Sequence, residues 1–126
     1  MRMGRGMAVA AVVLMLSVAV PVMARAAELL VLVQPGCVWC ARFDAEIVPG
    51  YPHTAEGRRA PLRRVDITEP WPAEFAAIAP ERLTPTFVLV SDDGEEVARL
   101  RGYPGDNFFW PLLGEMLAKL RPAPTM

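Results

Sequence analysis

Two cysteines stand three positions apart in the stretch Gln34 to Cys40, QPGCVWC, and they are the only two in the chain. Such a pair can serve as a disulfide staple, as part of a metal site, or as a dithiol that trades electrons with another disulfide. A bridge across two intervening residues closes a very short loop, and the stabilisation a disulfide gives grows with loop length, so the staple would achieve little. A structural zinc site takes four ligands, and beyond the cysteines the chain offers only His53. Covalent haem attachment needs a histidine directly after the second cysteine, where this chain has Ala41. Thiol-disulfide exchange is the reading that survives best. A copper-binding or copper-delivery module built on Cys37, Cys40 and His53 is the non-enzymatic alternative.

The elements on either side of the pair sharpen this reading. Leu29 to Gln34 (LLVLVQ) is a short apolar run that Pro35-Gly36 ends, the pattern of a buried strand entering a turn. From Cys37 the apolar residues Phe43, Ile47 and Val48 recur at helical spacing until Pro49-Gly50 stops them. The cysteines therefore sit where a strand hands over to a helix. There the first sulfur lies beside unpaired backbone N–H groups and the positive end of the helix dipole, which can lower a thiol pKa from about 8.5 to roughly 3.5–7.5. Cys37 is the expected nucleophile. Cys40, one turn on, is placed to attack the mixed disulfide that Cys37 forms.

The remaining chain supplies the scaffold. Gly50 to Pro61 reads as a loop with one helical turn around Ala55 to Arg59. Leu62 to Ile67 alternates apolar and polar residues, as a strand near a sheet edge does. Thr68, Pro70 and Pro72 open an expected short helix, Ala73 to Ala79, presenting Phe75 and Ile78. Thr86 to Val90 is the strongest strand signal. Asp92-Asp93-Gly94 turns the chain back into Glu96 to Arg101, completing a hairpin. A last helix, about Asn107 to Leu120, carries Phe108, Phe109, Leu112, Leu113, Met116, Leu117 and Leu120 as one stripe, with Pro111 in its first turn. This order predicts an α/β fold: a central mixed four-stranded sheet, parallel through the first crossover and antiparallel in the later hairpin, with helices on both faces. Trp71 and Trp110 are assigned to core or rim packing.

With 126 residues the chain holds one compact domain, expected over residues 27–120, with 121–126 as a frayed tail. Residues 1–26 read as a secretory signal: Arg2 and Arg5 lead, Met7 to Val20 is apolar, and Ala24-Arg25-Ala26 offers a cleavage site. The competing reading is a retained anchor, since a span needs about 17 apolar residues at least. Either way the domain is expected outside the cytoplasm. Without residues 1–26 the chain carries ten basic and fourteen acidic residues, a net charge of −4, which argues against nucleic acid or an acidic membrane as a partner.

These residues resemble the thioredoxin superfamily from about Leu29 to Leu120: the strand, GCVWC with its helix, Leu83-Thr84-Pro85-Thr86-Phe87-Val88 leading into a strand hairpin, and Gly102 before the last helix. Within it the chain is similar to the small SoxS-type periplasmic thioredoxins of bacterial sulfur-oxidation systems. The features behind this narrower likeness are the start almost at the first strand, the form QPGCVWC, and Arg101-Gly102-Tyr103-Pro104-Gly105 followed by Phe108-Phe109-Trp110. The resemblance implies a cis Pro85 facing the cysteines, with the Thr84 backbone left free to pair with an incoming polypeptide. It implies a reductase of protein disulfides or of a sulfur-carrier cysteine, supplied with electrons by a membrane thiol transporter and needing no cofactor beyond Cys37 and Cys40. An oxidising or isomerising disulfide-bond protein is the catalytic alternative. Trp39 is expected to shield the sulfurs and to form part of the substrate surface, the other possibility being packing under the Gly50 to Pro61 loop. Two departures stand out. Val38-Trp39 replaces the usual Gly-Pro between the cysteines, so the reduction potential does not carry over. Val31 stands where ordinary thioredoxins have a buried acid, so the proton of the resolving thiol must go to another group or to water, with Asp66 and Glu46 as candidates. Arg42 is a candidate for strengthening the positive field near Cys37.

Overall fold

The computed structural model describes Gly4, residues 17–19 and residues 26–122. Most of the expected signal segment and the tail beyond Pro122 thus lie outside the described residues. Among the described residues no helix is long and apolar enough to cross a membrane.

Four strands, β1 (Glu28–Val33), β2 (Leu62–Asp66), β3 (Thr86–Val90) and β4 (Glu96–Arg101), form one sheet in the order β2-β1-β3-β4. β1 runs parallel to β2 and antiparallel to β3, and β3 runs antiparallel to β4. The mixed four-stranded sheet anticipated from the sequence is the one observed. Central β1 and β3 are covered on both faces, so their apolar runs are unbroken, with Leu29 to Val33 and Thr86 to Val90 all buried. The edge strands β2 and β4 carry the arginines Arg63, Arg64, Arg99 and Arg101, whose charge guards an open strand edge.

Helices α1 (Val38–Glu46), α2 (Ala55–Arg59) and α3 (Asp106–Leu117) are the α-helices among the described residues. Phe43 of α1, Ile47 just past its end, and Phe109, Leu113, Met116 and Leu117 of α3 form one core with Leu29, Val31, Phe87 and Leu89. Phe43 is its hub, with the rings of Phe87, Phe109 and Tyr103 edge-on at 4.8, 5.4 and 5.6 Å. Between α1 and β2, the buried Tyr51 hydroxyl donates to the Ala60 carbonyl at 2.6 Å and its ring stacks on Trp110. Gly57 packs so closely there that a Cβ would sit 1.8 Å from the Tyr51 carbonyl oxygen.

The opposite face, lined by Leu30, Leu32, Val65, Val88 and Val90, is closed by Phe75 and Ile78. Both residues do the packing expected of them, but the helix expected over Ala73 to Ala79 is only a 3-10 turn, Ala73–Phe75. Pro72 and Pro80 bracket the segment, and the residue before a proline is biased away from helical dihedrals. The Phe75 carbonyl accepts the Ile78 N–H at 2.8 Å, an i+3 bond of the 3-10 type, and the Trp71 indole N–H at 2.8 Å.

Two details of α3 differ from expectation as well. The helix begins at Asp106, so Pro111 falls in its second turn, where its missing N–H removes one backbone bond. Phe108 is 66 % exposed: the sheet takes only the face bearing Phe109, Leu113, Met116 and Leu117, and Phe108 lies off it.

Candidate active site

The site is built at one end of the sheet by two loops leaving neighbouring antiparallel strands. Because Leu32 pairs with Thr86, the chain leaving β1 at Gln34 lies beside the chain entering β3 at Thr84-Pro85. The Gln34 amide donates to the Thr84 hydroxyl at 2.9 Å and ties the two loops together. Gln34 is the residue of QPGCVWC to which sequence reasoning gave no role. Its only signal was its place, a polar residue ending an apolar strand.

From Gln34 the chain turns sharply. The Cys37 N–H reaches the Gln34 carbonyl at 3.4 Å, and Gly36 adopts φ +75°, a left-handed conformation that glycine takes without a side-chain clash. Cys37 is then the N-cap of α1. Where serine or aspartate would present an oxygen, Cys37 presents its sulfur, which accepts the Cys40 N–H at 3.1 Å. A thiolate at this position gains a backbone hydrogen bond and the helix dipole together, with no acidic residue in the first turn to oppose it. Cys37 and Cys40 are joined as a disulfide. The pair is asymmetric: Cys37 is half-buried, whereas Cys40 is 4 % exposed and belongs to the core cluster that holds Val31, Phe43 and Phe87.

The Thr84–Pro85 peptide bond is cis. Both residues are buried, and the Pro85 carbonyl accepts the Gly102 N–H at 2.8 Å, anchoring the loop to the end of β4. Beyond it, Glu81 pairs with Arg101 at 2.5 Å and with Arg99 at 3.7 Å. Val38, Trp39 and Leu83 leave apolar surface exposed at this end of the molecule.

Trp39 is 53 % exposed, with the Arg42 guanidinium 5.5 Å from its ring centroid. Arg42 itself is held by Glu46 at 2.7 Å, and Glu46 also accepts from the Tyr103 hydroxyl. The Arg42 guanidinium is thus paired with Glu46 and set against Trp39. Arg42, then Tyr103, hold the Glu46 carboxyl below its usual range. Asp66 accepts from the Thr68 hydroxyl and N–H, and these bonds keep its carboxyl low. Neither lines the open hollow of about 380 Å³ beside the sulfurs, which Cys37 and Cys40 form with Gln34, Gly36, Val38, Ala41, Asp44 and Arg64. His53 is not among them; it sits in the turn Tyr51–His53, beyond the far end of α1. Among the described residues no group of three or more His, Cys, Asp or Glu is arranged to hold a metal.

A dithiol or disulfide at a helix N-terminus, one sulfur accessible and one buried, beside a cis-proline loop on a mixed sheet, is the arrangement of a thiol-disulfide oxidoreductase. The chain belongs to the thioredoxin superfamily. It is similar to the reduced form of the periplasmic thioredoxin SoxS from Paracoccus pantotrophus, with 47% identity over 74% of this chain and 97% of that one and a TM-score of 0.69. Thioredoxins from Thermus thermophilus (23% identity, 75% of each chain, TM-score 0.56) and Fasciola hepatica (21% identity, 72% and 81%, TM-score 0.55) share the fold. No protein-family model and no curated protein matches the sequence.

Proposed function

We propose that this chain is an exported, periplasmic reductase of protein disulfides, or of the cysteine of a sulfur-carrier protein, and that a membrane thiol transporter restores its dithiol. The carrying observation is the unequal exposure of the two sulfurs at the helix start, which divides the labour between them. Cys37, as thiolate, attacks a substrate disulfide, forming a mixed disulfide and releasing one substrate thiolate. Cys40, as thiolate, then attacks the Cys37 sulfur, so the Cys37–Cys40 disulfide forms and the second substrate thiolate leaves. Two electrons pass from the dithiol to the substrate. Thr84-Pro85 and the exposed Trp39 hold the partner's chain against the site.

The periplasmic placement rests on the similarity to SoxS and on the signal-like residues 1–26. The reducing direction rests on that similarity alone. Replacing Cys40 by serine leaves the attacking sulfur and removes the resolving one, so Cys40→Ser expressed in a sulfur-oxidising bacterium should accumulate mixed disulfides at Cys37. Recovery of one carrier protein, lost in Cys37→Ser, supports the specific reading. A broad set of envelope proteins would favour general disulfide repair or isomerisation, and no adduct at all would refute the mechanism.

A further inference from the structure

Resolution requires Cys40 to lose a proton while it is buried, and the core offers it no acceptor. Val31 lies in the same cluster as Cys40, the hydroxyls of Tyr51 and Tyr103 in that cluster donate to the Ala60 carbonyl and to Glu46, and the other buried polar side chains among the described residues are Thr84 and Thr86. The proton must leave sideways. The hollow that Cys40 lines leads to one carboxylate, Asp44. Asp44 follows Cys40 by four residues and Cys37 by seven, so all three occupy one stripe of α1, with neighbouring Cβ atoms about 5–6 Å apart.

We propose that Asp44 accepts the Cys40 proton, through solvent in this hollow, as Cys40 attacks the mixed disulfide. The step balances. The Cys40 S–H proton passes to the Asp44 carboxylate, the Cys40 sulfur bonds to the Cys37 sulfur, and the Cys37–substrate S–S bond breaks with its electron pair on the departing thiolate. Asp44 then returns its proton to solvent.

Arg64 positions the base. Its guanidinium grips Asp44 at 2.5 and 3.0 Å, a two-point pairing that fixes the carboxylate at the mouth of the hollow. Its reach follows from sheet register: Arg64 pairs with Val31 across β1 and β2, which sets it on the face that α1 covers. The other charged or titratable groups near α1 are committed elsewhere, Arg42 and Glu46 to each other, Tyr103 to Glu46, and Asp106 near Arg42 and Tyr103. The face of α3 toward Cys40 is apolar.

The proposal rests on the exchange mechanism above, and a two-phase experiment tests the two separately. Reduced protein is mixed with the aromatic disulfide 5,5′-dithiobis(2-nitrobenzoate) in a stopped-flow instrument. The first thionitrobenzoate reports attack by Cys37, and the second reports resolution by Cys40. A missing first phase would sink the mechanism itself. Asp44→Asn should leave the first phase unchanged and slow the second by about 100-fold or more near neutral pH, the lower end of what a positioned base contributes. Wild-type release should be nearly flat between about pH 6 and 8, whereas Asp44→Asn should climb about tenfold per pH unit, as attack dependent on hydroxide does. Added imidazole should restore part of the lost rate, and Arg64→Gln, which keeps the carboxylate, should keep the flat profile. Asp44→Asn with wild-type or faster release, an equal slowing at every pH without rescue, or a larger deficit in Arg64→Gln than in Asp44→Asn would each overturn the proposal.

Discussion

At the scale of single residues, Trp39 carries its consequence most openly. It lies between the cysteines, is half exposed, and rests one face against the Arg42 guanidinium. An exposed, oriented indole beside a reactive sulfur offers contact area to a protein partner and little to a small reagent, and tryptophans at contact surfaces commonly cost more than about 1 kcal/mol when truncated. Trp39→Ala is therefore expected to raise KM for insulin about 5- to 10-fold, while attack of Cys37 on a small aromatic disulfide stays within about twofold. An equal loss in both assays would mean that Trp39 acts on the sulfurs themselves. The cysteine pair at a helix start was legible because it belongs to a short local pattern, and the cis Thr84–Pro85 bond was expected through the family resemblance. Gln34 bonded to Thr84 was not, because that contact joins residues fifty positions apart. Asp44 on the cysteine stripe follows from helical spacing alone; its clasp by Arg64 depends on how α1 crosses β2, which no local pattern encodes.

At the scale of elements, α3 tests how the scaffold is held. Seven apolar residues predicted a broad stripe, and the sheet accepts only part of it. Phe109 touches Phe43, Phe87 and Tyr103, the cluster that seats α1 and hence the cysteines. Its neighbour Phe108 faces solvent. Phe109→Ala should destabilise by about 3–5 kcal/mol and Phe108→Ala by no more than about 0.5 kcal/mol, as read from urea midpoints at constant slope. A large loss in Phe108→Ala would mean that α3 is rotated from the orientation described. Strands were the most readable elements, since burial on both faces leaves β1 and β3 no choice of composition. The segment between β2 and β3 was the least readable: Phe75 and Ile78 mark a face to be covered, but the prolines around them decide that a turn covers it.

At the scale of the whole molecule, the domain beyond residue 26 is acidic, yet several of its carboxylates are held ionised by specific partners. Glu81 is kept below its usual range chiefly by Arg101, Glu46 by Arg42 and Tyr103, and Asp66 by Thr68. Unfolding removes these partners, so the unfolded chain takes up protons near the ordinary carboxylate values of about 3.9–4.3 while the folded chain resists. Their stabilisation is present in full above that range and is lost as pH falls through the lower folded values. At the alkaline end the sign reverses. Tyr51, through burial, and Tyr103, through burial and its bond to Glu46, resist ionisation in the fold, so the unfolded chain releases protons first above about pH 10. Melting temperature of the oxidised protein should hold level near neutrality and fall at both extremes. Glu81→Gln should melt below wild type at pH 7 and converge with it toward pH 3, because the charge it lacks is then neutralised in wild type as well. A gap that stays constant down to pH 3 would show that the Glu81 pairing contributes through packing and not through its charge.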